Sequence, residues 1–218
     1  MKALYFAELS SEIDTDLFSN LLGFVSHEKK RKILRLRFDI DKKLSLYSEV
    51  LVRCLACRTL NIENSHIMFM RRETGKPFLK GYPEFHYNIS HTKNALAVGI
   101  SKEPVGVDIE RIRQADLRIA RRFFSEDEIL WIEGTETERD RRFFSVWTKK
   151  EAWLKRLGQG ISQIRSVDVL SDKLSGLLFT TQVKDYMLSV CSAEVFDESC
   201  LIILSEADII DMRNRQRS

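Results

Sequence analysis

Long apolar segments are missing from this sequence. No run approaches the roughly 20 consecutive apolar residues that a membrane-spanning helix needs, so we expect no membrane partner. The N-terminal stretch MKALYFAELSSEIDTD holds a short apolar segment that acidic residues follow. It lacks the apolar h-region and the small-residue cleavage site of a secretory signal peptide. The sequence therefore predicts a cytoplasmic protein.

A large excess of charge of either sign is also missing. The chain has 35 Lys and Arg residues against 32 Asp and Glu residues, a net charge of +3, which by itself does not indicate a nucleic-acid partner. An apolar fraction of 44% and a charged fraction of 31% are ordinary for a soluble globular protein. The 218 residues are enough for one large domain or two small ones.

Cysteine is scarce, and its spacing gives little support to a metal or redox centre. Four cysteines are present, and Cys54 and Cys57 form the only C-x-x-C, since Cys191 and Cys200 are too far apart to form another. Cys54 falls within a helical apolar pattern, and Cys57 lies one turn further on. We interpret both as small apolar residues of a reduced protein.

Strand-like and helix-like segments alternate along the chain, and the pattern restarts at Pro104. Before Pro104 we predict strands near 2–8, 66–70, 85–89 and 95–100, and helices over 12–23, from 26 onward and over 41–60. After it we predict strands near 105–109, 166–170, 186–191 and 200–204, and helices near 117–124, 126–133 and 140–157. This order predicts an α+β protein of two similar halves, 1–104 and 105–206. The polar tail 207–218 is expected to be flexible.

Two acidic residues interrupt the apolar strand pattern of PVGVDIERIR. Val105, Val107 and Ile109 are apolar and β-branched, whereas Asp108 and Glu110 are two residues apart. Residues at this spacing point the same way in a strand, so the two carboxylates share one face. Burying two like charges together is costly unless a cation lies beside them. The pattern therefore predicts a bound cation.

A third carboxylate lies on the helix predicted over 140–157. Trp147, Glu151 and Lys155 follow at four-residue spacing and share one face of that helix. The Glu151–Lys155 spacing is that of an ordinary surface ion pair, but this pair continues from a tryptophan, which indicates the edge of a cleft. No histidine or thiol is close in sequence to Asp108 or Glu110, which disfavours zinc. Three carboxylates favour Mg²⁺, which prefers oxygen ligands and borrows phosphate oxygens from its substrate.

A diphosphate at such a site would need cations and hydrogen-bond donors, and the chain offers candidates. Lys76 lies in the turn TGKPF, and Ser90 and His91 end a predicted strand in YNISHT. Each has an ordinary alternative explanation, since a turn lysine is usually solvated and a histidine after a strand usually makes a local hydrogen bond. Their occurrence together favours a phosphate site.

Two further motifs have open interpretations. The segment SHEKKRKILRLRF, with Ser26 as N-cap, is either a solvated amphipathic helix or a phosphate-binding surface for a nucleotide or nucleic acid. In FFSEDEIL, Ser125 and Glu128 match the capping box that opens a helix. A catalytic role for Glu128 is a secondary hypothesis.

These motifs together resemble a known family, the 4′-phosphopantetheinyl transferases. The sequence GVDIERI, followed by FSEDEI and by FSVWTKKEAWLKRLGQGI, resembles the larger type that activates surfactin synthetase and related enzymes. GKPF and NISHT precede them in the order expected for that type. The resemblance covers roughly residues 1–205. It implies a pseudo-twofold monomer of two α+β halves with the active site between them.

The resemblance also implies an activity and its participants. The donor would be coenzyme A, the acceptor a serine of an acyl or peptidyl carrier protein, and the second product adenosine 3′,5′-bisphosphate. Residues 1–104 would then contact the nucleotide of coenzyme A, and residues 105–206 would hold Mg²⁺ and dock the carrier protein. Nucleic acid and membranes are not implied.

Residue by residue, the resemblance implies three sets of functions. Asp108, Glu110 and Glu151 look like magnesium ligands, and Lys155 looks like the residue that reaches the diphosphate and assists the leaving group. The residues that look like coenzyme A contacts are Ser90, His91, Lys76, Lys29, Lys32 and Ser45, in addition to Lys155. The residues where the family docks its carrier are Leu157, Ile161 and Ile164.

Three questions stay open at this point. The base that takes the serine proton is Glu151, directly or through a metal-bound water, or else Glu128. A different magnesium enzyme, such as a nuclease, would also use an acidic cluster and a basic helix. A non-catalytic protein that binds carriers is a further alternative, which the intact acids and Lys155 oppose.

Overall fold

The computed structural model describes residues 1–216, which form a mixed α+β protein, as predicted. The strands are β1 Ala3–Glu8, β2 Phe69–Arg71, β3 Pro77–Leu79, β4 His86–Thr92, β5 Ala95–Ser101, β6 Val105–Arg111, β7 Leu178–Val183, β8 Tyr186–Ser192 and β9 Leu201–Leu204. The helices are α1 Thr15–Leu22, α2 His27–Leu34, α3 Asp39–Leu60, α4 Leu117–Phe123, α5 Glu126–Glu133, α6 Arg139–Leu157, α7 Asp172–Ser175 and α8 Glu206–Asn214. Within residues 1–216, no helix combines the length and the apolar character needed to cross a membrane.

Two larger sheets and one hairpin organise the strands. The first sheet has the order β4-β5-β1-β9, the second has the order β6-β8-β7, and β2 pairs with β3. Strand β9 lies in parallel beside β1, with Leu4 opposite Leu201. A strand from the predicted C-terminal half thus completes the sheet of the N-terminal half, so the predicted boundary at Pro104 does not separate the two sheets. The pseudo-twofold relation of the halves stays a prediction.

Strand β1 is buried on both faces, which places the first sheet in the middle of the molecule. Ala3, Tyr5 and Ala7 pack in the core that includes much of α3, whereas Leu4 and Phe6 pack in the core between the two sheets. Side chains alternate between the faces of a strand, so an apolar run without polar interruptions suits a sheet that is covered on both sides.

One face of the second sheet packs against the first sheet, and helix α6 covers the opposite face. Its apolar residues, with those of α4 and α5, form an aromatic core in which Phe143 packs against Phe124 and Trp147. Gly106 of β6 allows the close approach of this helix, because a Cβ atom there would lie 2.0 Å from the Ala152 carbonyl oxygen and 2.3 Å from the Arg156 nitrogen.

Replacing Gly106 by alanine should therefore push α6 away from β6. Overpacking of a rigid backbone contact costs about 1–3 kcal/mol or more, and we expect a lower melting temperature. Gly176→Ala is the matched control, because a Cβ atom at Gly176 meets nothing within 4 Å and its φ of −77° suits alanine. Equal melting temperatures for both variants would contradict this account of the helix contact.

The structure differs from the predicted elements in several places, and the short elements β3 and α7 are among those that were not predicted. The prediction of a strand near 166–170 is wrong, since a 3₁₀ helix, Ile161–Ser166, ends at the residue where that strand was expected to begin. Strand β7 was not predicted. The tail predicted to be flexible instead forms α8, which a capping box of Ser205 and Asp208 opens and whose Ile209 is fully buried. Residues 217–218 of that tail lie outside the described residues.

The interpretation of the cysteines is confirmed by their positions. Cys54, Cys57, Cys191 and Cys200 are buried free thiols. Burial raises the pKa of Cys54 to about 12, so that its reactive thiolate form is strongly disfavoured.

Candidate active site

The two acids of β6 face helix α6, on the side of the strand away from the core between the sheets. Val105, Val107 and Ile109 belong to that core, so Asp108 and Glu110 point to the opposite face. The same-face prediction for this acid pair is confirmed.

Strand β4 holds both acids in place from the side. The Ser90 hydroxyl donates to Asp108 Oδ1 at 2.9 Å, and the Thr92 hydroxyl donates to Glu110 Oε2 at 3.2 Å. Asn88, two residues earlier, accepts the Val107 backbone N–H at 2.8 Å. Alternate side chains of β4 thus join the first sheet to the second at the site. The sequence analysis missed Asn88 and Thr92, although the same two-residue spacing from Ser90 was a usable signal.

Asp108 is the most buried of the three predicted ligands, with 4% of its surface exposed. Burial raises the pKa of this carboxyl group, and the positive charge and hydrogen bond of Lys155 oppose the shift. Lys155 Nζ lies 2.6 Å from Oδ1 and 3.0 Å from the Ser90 oxygen. The other oxygen, Oδ2, is buried and has no hydrogen-bond partner among the described residues. A buried carboxylate oxygen of this kind is unfavourable unless a further ligand meets it.

Glu110 and Glu151 complete an acidic cluster around Asp108. Burial, and next the charge of Asp108, raise the pKa of both carboxyl groups. Lys155 opposes the shift of Glu151, and Arg113 opposes that of Glu110. The part of the chain that the structure describes contains no preassembled group of three His, Cys, Asp or Glu side chains with metal-binding geometry. The carboxylates share one electrostatic environment, and their joint ligation of a metal stays a prediction.

His91 extends the site along the end of β4. Its side chain is exposed at the surface, yet crowding by protein atoms lowers its pKa, and repulsion from Lys155 and Lys29 adds to this effect while Asp41 opposes it. These interactions place His91 in the field of two of the lysines predicted to contact coenzyme A, Lys155 and Lys29.

The two lysines of α2 that were predicted to act together have different environments. Lys29 is half-buried, with its Nζ 3.6 Å from Glu49 Oε2, and burial lowers its pKa while Glu49 opposes the shift. Lys32 is exposed and pairs with Glu28 at 2.5 Å on the same helix. Ser45 is half-buried in the second turn of α3. Of these residues, only Lys29 is linked electrostatically to His91.

Lys76 is not the solvated turn lysine that was the ordinary alternative to a phosphate contact. Its ammonium group donates to the carbonyl oxygens of Val105 at 2.9 Å and of Arg156 at 2.6 Å. The last carbonyls of a helix lack partners within it, so Lys76 satisfies one at the end of α6. Burial lowers the pKa of Lys76 to about 8. Lys76 thus joins the hairpin of β2 and β3 to the second sheet, and a contact with coenzyme A stays a prediction.

Glu128 is unsuited to act as a base. It is fully buried and pairs with Lys150 at 2.8 Å. It also accepts the Ser125 backbone N–H at 2.8 Å, which completes the predicted capping box, and the Val169 N–H at 3.0 Å. The secondary hypothesis of a catalytic Glu128 is therefore corrected: this carboxylate is part of the core of the C-terminal half.

The predicted docking surface is smaller than the sequence suggested. Leu157 is 42% exposed and Ile161 is 49% exposed, and both are open to a partner. Ile164 is only 1% exposed and packs in the aromatic core, so it offers no surface. Lys150 donates to the carbonyl oxygens of Ile164 and Val167, which fixes this segment against α6.

Comparison with known proteins gives matches along most of the chain. A model described as the 4′-phosphopantetheinyl transferase superfamily matches residues 104–198, and one described as 4′-phosphopantetheinyl transferase, N-terminal, matches residues 13–103.

Individual relatives have the same description. The 4′-phosphopantetheinyl transferase gsp of Aneurinibacillus migulanus is 38% identical over 162 residues, which are 74% of this chain and 68% of the relative. The enzymes psf-1 of Bacillus pumilus and Sfp of Bacillus subtilis are 40% and 34% identical, each over 65% of this chain. The matched segment spans only 61% and 63% of the length of these two relatives.

Proposed function

Because this chain belongs to the 4′-phosphopantetheinyl transferase superfamily, we propose that it transfers the 4′-phosphopantetheine arm of coenzyme A to a serine of an acyl or peptidyl carrier protein. The released product would be adenosine 3′,5′-bisphosphate. The observation that carries this proposal is the cluster of Asp108, Ser90 and Lys155, in which a buried carboxylate oxygen lacks a partner beside a cation. A cytoplasmic location, a monomeric state and the absence of nucleic-acid binding stay predictions.

The donor set suits Mg²⁺. Asp108, Glu110 and Glu151 supply oxygen ligands alone, the type that this hard cation prefers, and Asp108 Oδ2 has a free acceptor position. These three residues would hold the ion. When bound, Mg²⁺ supplies positive charge that polarises phosphoryl oxygens.

The side chains of this chain would then position and stabilise the reacting groups. Lys155 would neutralise charge that develops on the leaving phosphate. Ser90 and His91 would bind phosphate oxygens of coenzyme A. Glu151, directly or through a metal-bound water, is the proposed base for the serine proton.

Lys29 and Lys32 give a test of the nucleotide contacts. Changing both to alanine should weaken the binding of coenzyme A more than the binding of 3′-dephospho-coenzyme A, because a charged contact to the 3′-phosphate is lost. Such hydrogen bonds contribute about 1.5–3 kcal/mol, so KM for coenzyme A should rise by about tenfold or more. The half-buried position of Lys29 predicts that Lys29→Ala causes most of this effect.

Lys30→Ala is the matched control for this measurement, since Lys30 lies exposed on the same helix. KM values for both donors should be measured for each variant. An equal rise of KM for the two donors would show that these lysines do not recognise the 3′-phosphate.

The decisive experiment for the activity is mass spectrometry of an apo-carrier protein after incubation with this protein, coenzyme A and Mg²⁺. We expect the carrier to gain the mass of one phosphopantetheine group, and EDTA should prevent the gain. A carrier that binds but stays unmodified would favour the non-catalytic alternative. A thermal shift with DNA, and none with coenzyme A plus Mg²⁺, would favour a nuclease.

A further inference from the structure

A cavity with several charged and hydroxyl side chains in its lining lies beside α6, at the edge of the second sheet. Its volume is about 270 Å³. The residues that line it are Trp131, Glu138, Arg141, Arg142, Ser145, Lys149, Thr180, Thr181, Gln182 and Met187. None of them belongs to the catalytic cluster or to the predicted contacts with coenzyme A.

The cavity has an excess of positive charge. Arg141, Arg142 and Lys149 line it, and Glu138 is the one acidic residue among the lining residues that the structure describes. Glu138 is shared between the two arginines, each at 3.5 Å. One carboxylate thus faces three cations, and two positive charges are left without a counter-charge inside the cavity.

Lys149 is the cation that most lacks a partner. It is half-buried, and it forms no hydrogen bond or ion pair with the described residues, whereas the next residue, Lys150, is fully buried and paired with Glu128. Burial also lowers the pKa of Lys149, as expected for a desolvated ammonium group, while the charge of Glu128, which lies outside the cavity lining, opposes the shift. Arg142 is held in place from the other side, because it donates to the Trp131 carbonyl at 2.7 Å and lies over the Trp131 ring at 5.0 Å.

Polar side chains of β7 form the opposite wall. Thr180 and Gln182 are two residues apart and point to the same face of this edge strand. The Thr180 hydroxyl contacts Ser189 at 2.8 Å, and Ser189 contacts Thr148 of α6 at 2.8 Å. In the sheet register, Thr180 lies opposite Ser189 and Ser189 lies opposite Asp108. A row of polar residues beneath α6 therefore runs from the acidic cluster to this cavity.

We propose that this cavity is a binding site for a small oxyanion, a phosphate or a carboxylate group, separate from the site of phosphoryl transfer. Lys149 and Arg141 supply the charge, and the Ser145 hydroxyl supplies a hydrogen bond. The volume lies below the usual 300–1,000 Å³ of pockets for larger ligands, which selects a small anion or the charged end of a larger molecule. This proposal does not depend on the transferase activity.

The test is a titration that observes Trp131 directly. The protein has three tryptophans, so 5-fluorotryptophan labelling gives separate ¹⁹F NMR signals, and Trp131→Phe identifies the signal of the cavity. Inorganic phosphate is added at constant ionic strength, and malonate is used in a parallel titration. We expect a saturable shift of the Trp131 signal. The tighter of the two probes indicates whether the natural anion is a phosphate or a carboxylate.

Variants separate this site from the predicted phosphate contacts near Lys155. Lys149→Met should weaken the Trp131 response by about tenfold or more, as expected for the loss of a charged hydrogen-bond donor, and Lys149→Arg should retain it. Lys173→Met removes the same charge from an exposed residue of α7 and should have no effect. A Trp131 response that never saturates, or that Lys149→Met leaves unchanged, would overturn the proposal.

Discussion

Asp108→Asn is expected to abolish phosphopantetheine transfer while leaving the fold intact. Asparagine has nearly the shape of aspartate but removes the charge that pairs with Lys155 at 2.6 Å. A bound metal contributes several kcal/mol to transition-state stabilisation, and each 1.36 kcal/mol is a factor of ten in rate. We therefore expect kcat to fall by roughly a thousandfold or more. The measurement is the initial rate of carrier modification over a range of Mg²⁺ concentrations.

The structure explains why the fold should tolerate this change. Burial raises the pKa of Asp108, so its charged form is costly in the folded protein, and the neutral amide removes that cost. Asp127→Asn is the control, since Asp127 is exposed at the start of α5 and should behave as the unmodified protein does. An Asp108→Asn variant with nearly normal turnover in Mg²⁺ would refute the assignment of Asp108 as a metal ligand.

Glu128→Gln is expected to have the largest effect on stability. Glu128 and Lys150 form an ion pair in which both side chains are fully buried, and removing one partner leaves the other charge uncompensated. Breaking such a pair costs about 3–5 kcal/mol, because the buried ammonium group of Lys150 loses its only counter-charge within 4 Å among the described residues. Urea denaturation should show a corresponding loss of unfolding free energy. The value of kcat, calculated for the folded fraction of the protein, should hardly change.

A double-mutant cycle makes this prediction specific. Lys150→Met alone should also destabilise the protein, whereas Glu128→Gln combined with Lys150→Met should cost clearly less than the sum of the two. Glu28→Gln, which breaks the exposed pair with Lys32, should leave stability almost unchanged. If Glu128→Gln abolished turnover in protein that is still folded, Glu128 would be catalytic after all.

Local patterns in the sequence were sufficient for the parts of the site that lie on regular elements. The two-residue spacing of Asp108 and Glu110 fixes their common face, because alternation is a property of every strand. The four-residue spacing of Trp147, Glu151 and Lys155 likewise places all three on one face of a helix. Most of the helices and strands were predicted for the same reason, with differences of a few residues at their ends.

Contacts between distant segments could not be predicted from such local patterns. Nothing in TGKPF indicates that Lys76 donates to carbonyl oxygens of residues far along the chain, since this depends on where α6 ends in space. Ile164 was expected at the surface because the family resemblance implies carrier docking there, and no local pattern shows that the 3₁₀ segment turns this side chain into the aromatic core. The last helix was missed because its sequence is polar, and only packing against α3 reveals which side of it is apolar.

The parallel pairing of β9 with β1 has a consequence for the order of folding. During synthesis the N-terminal part of a chain emerges first and commonly folds first. Here the first strand of the chain has one hydrogen-bonding edge that only β9, near the end of the sequence, covers. Until β9 emerges from the ribosome, this edge is open to pairing with other chains. The sheet that carries Ser90 and His91 is therefore completed only after β9 has been made.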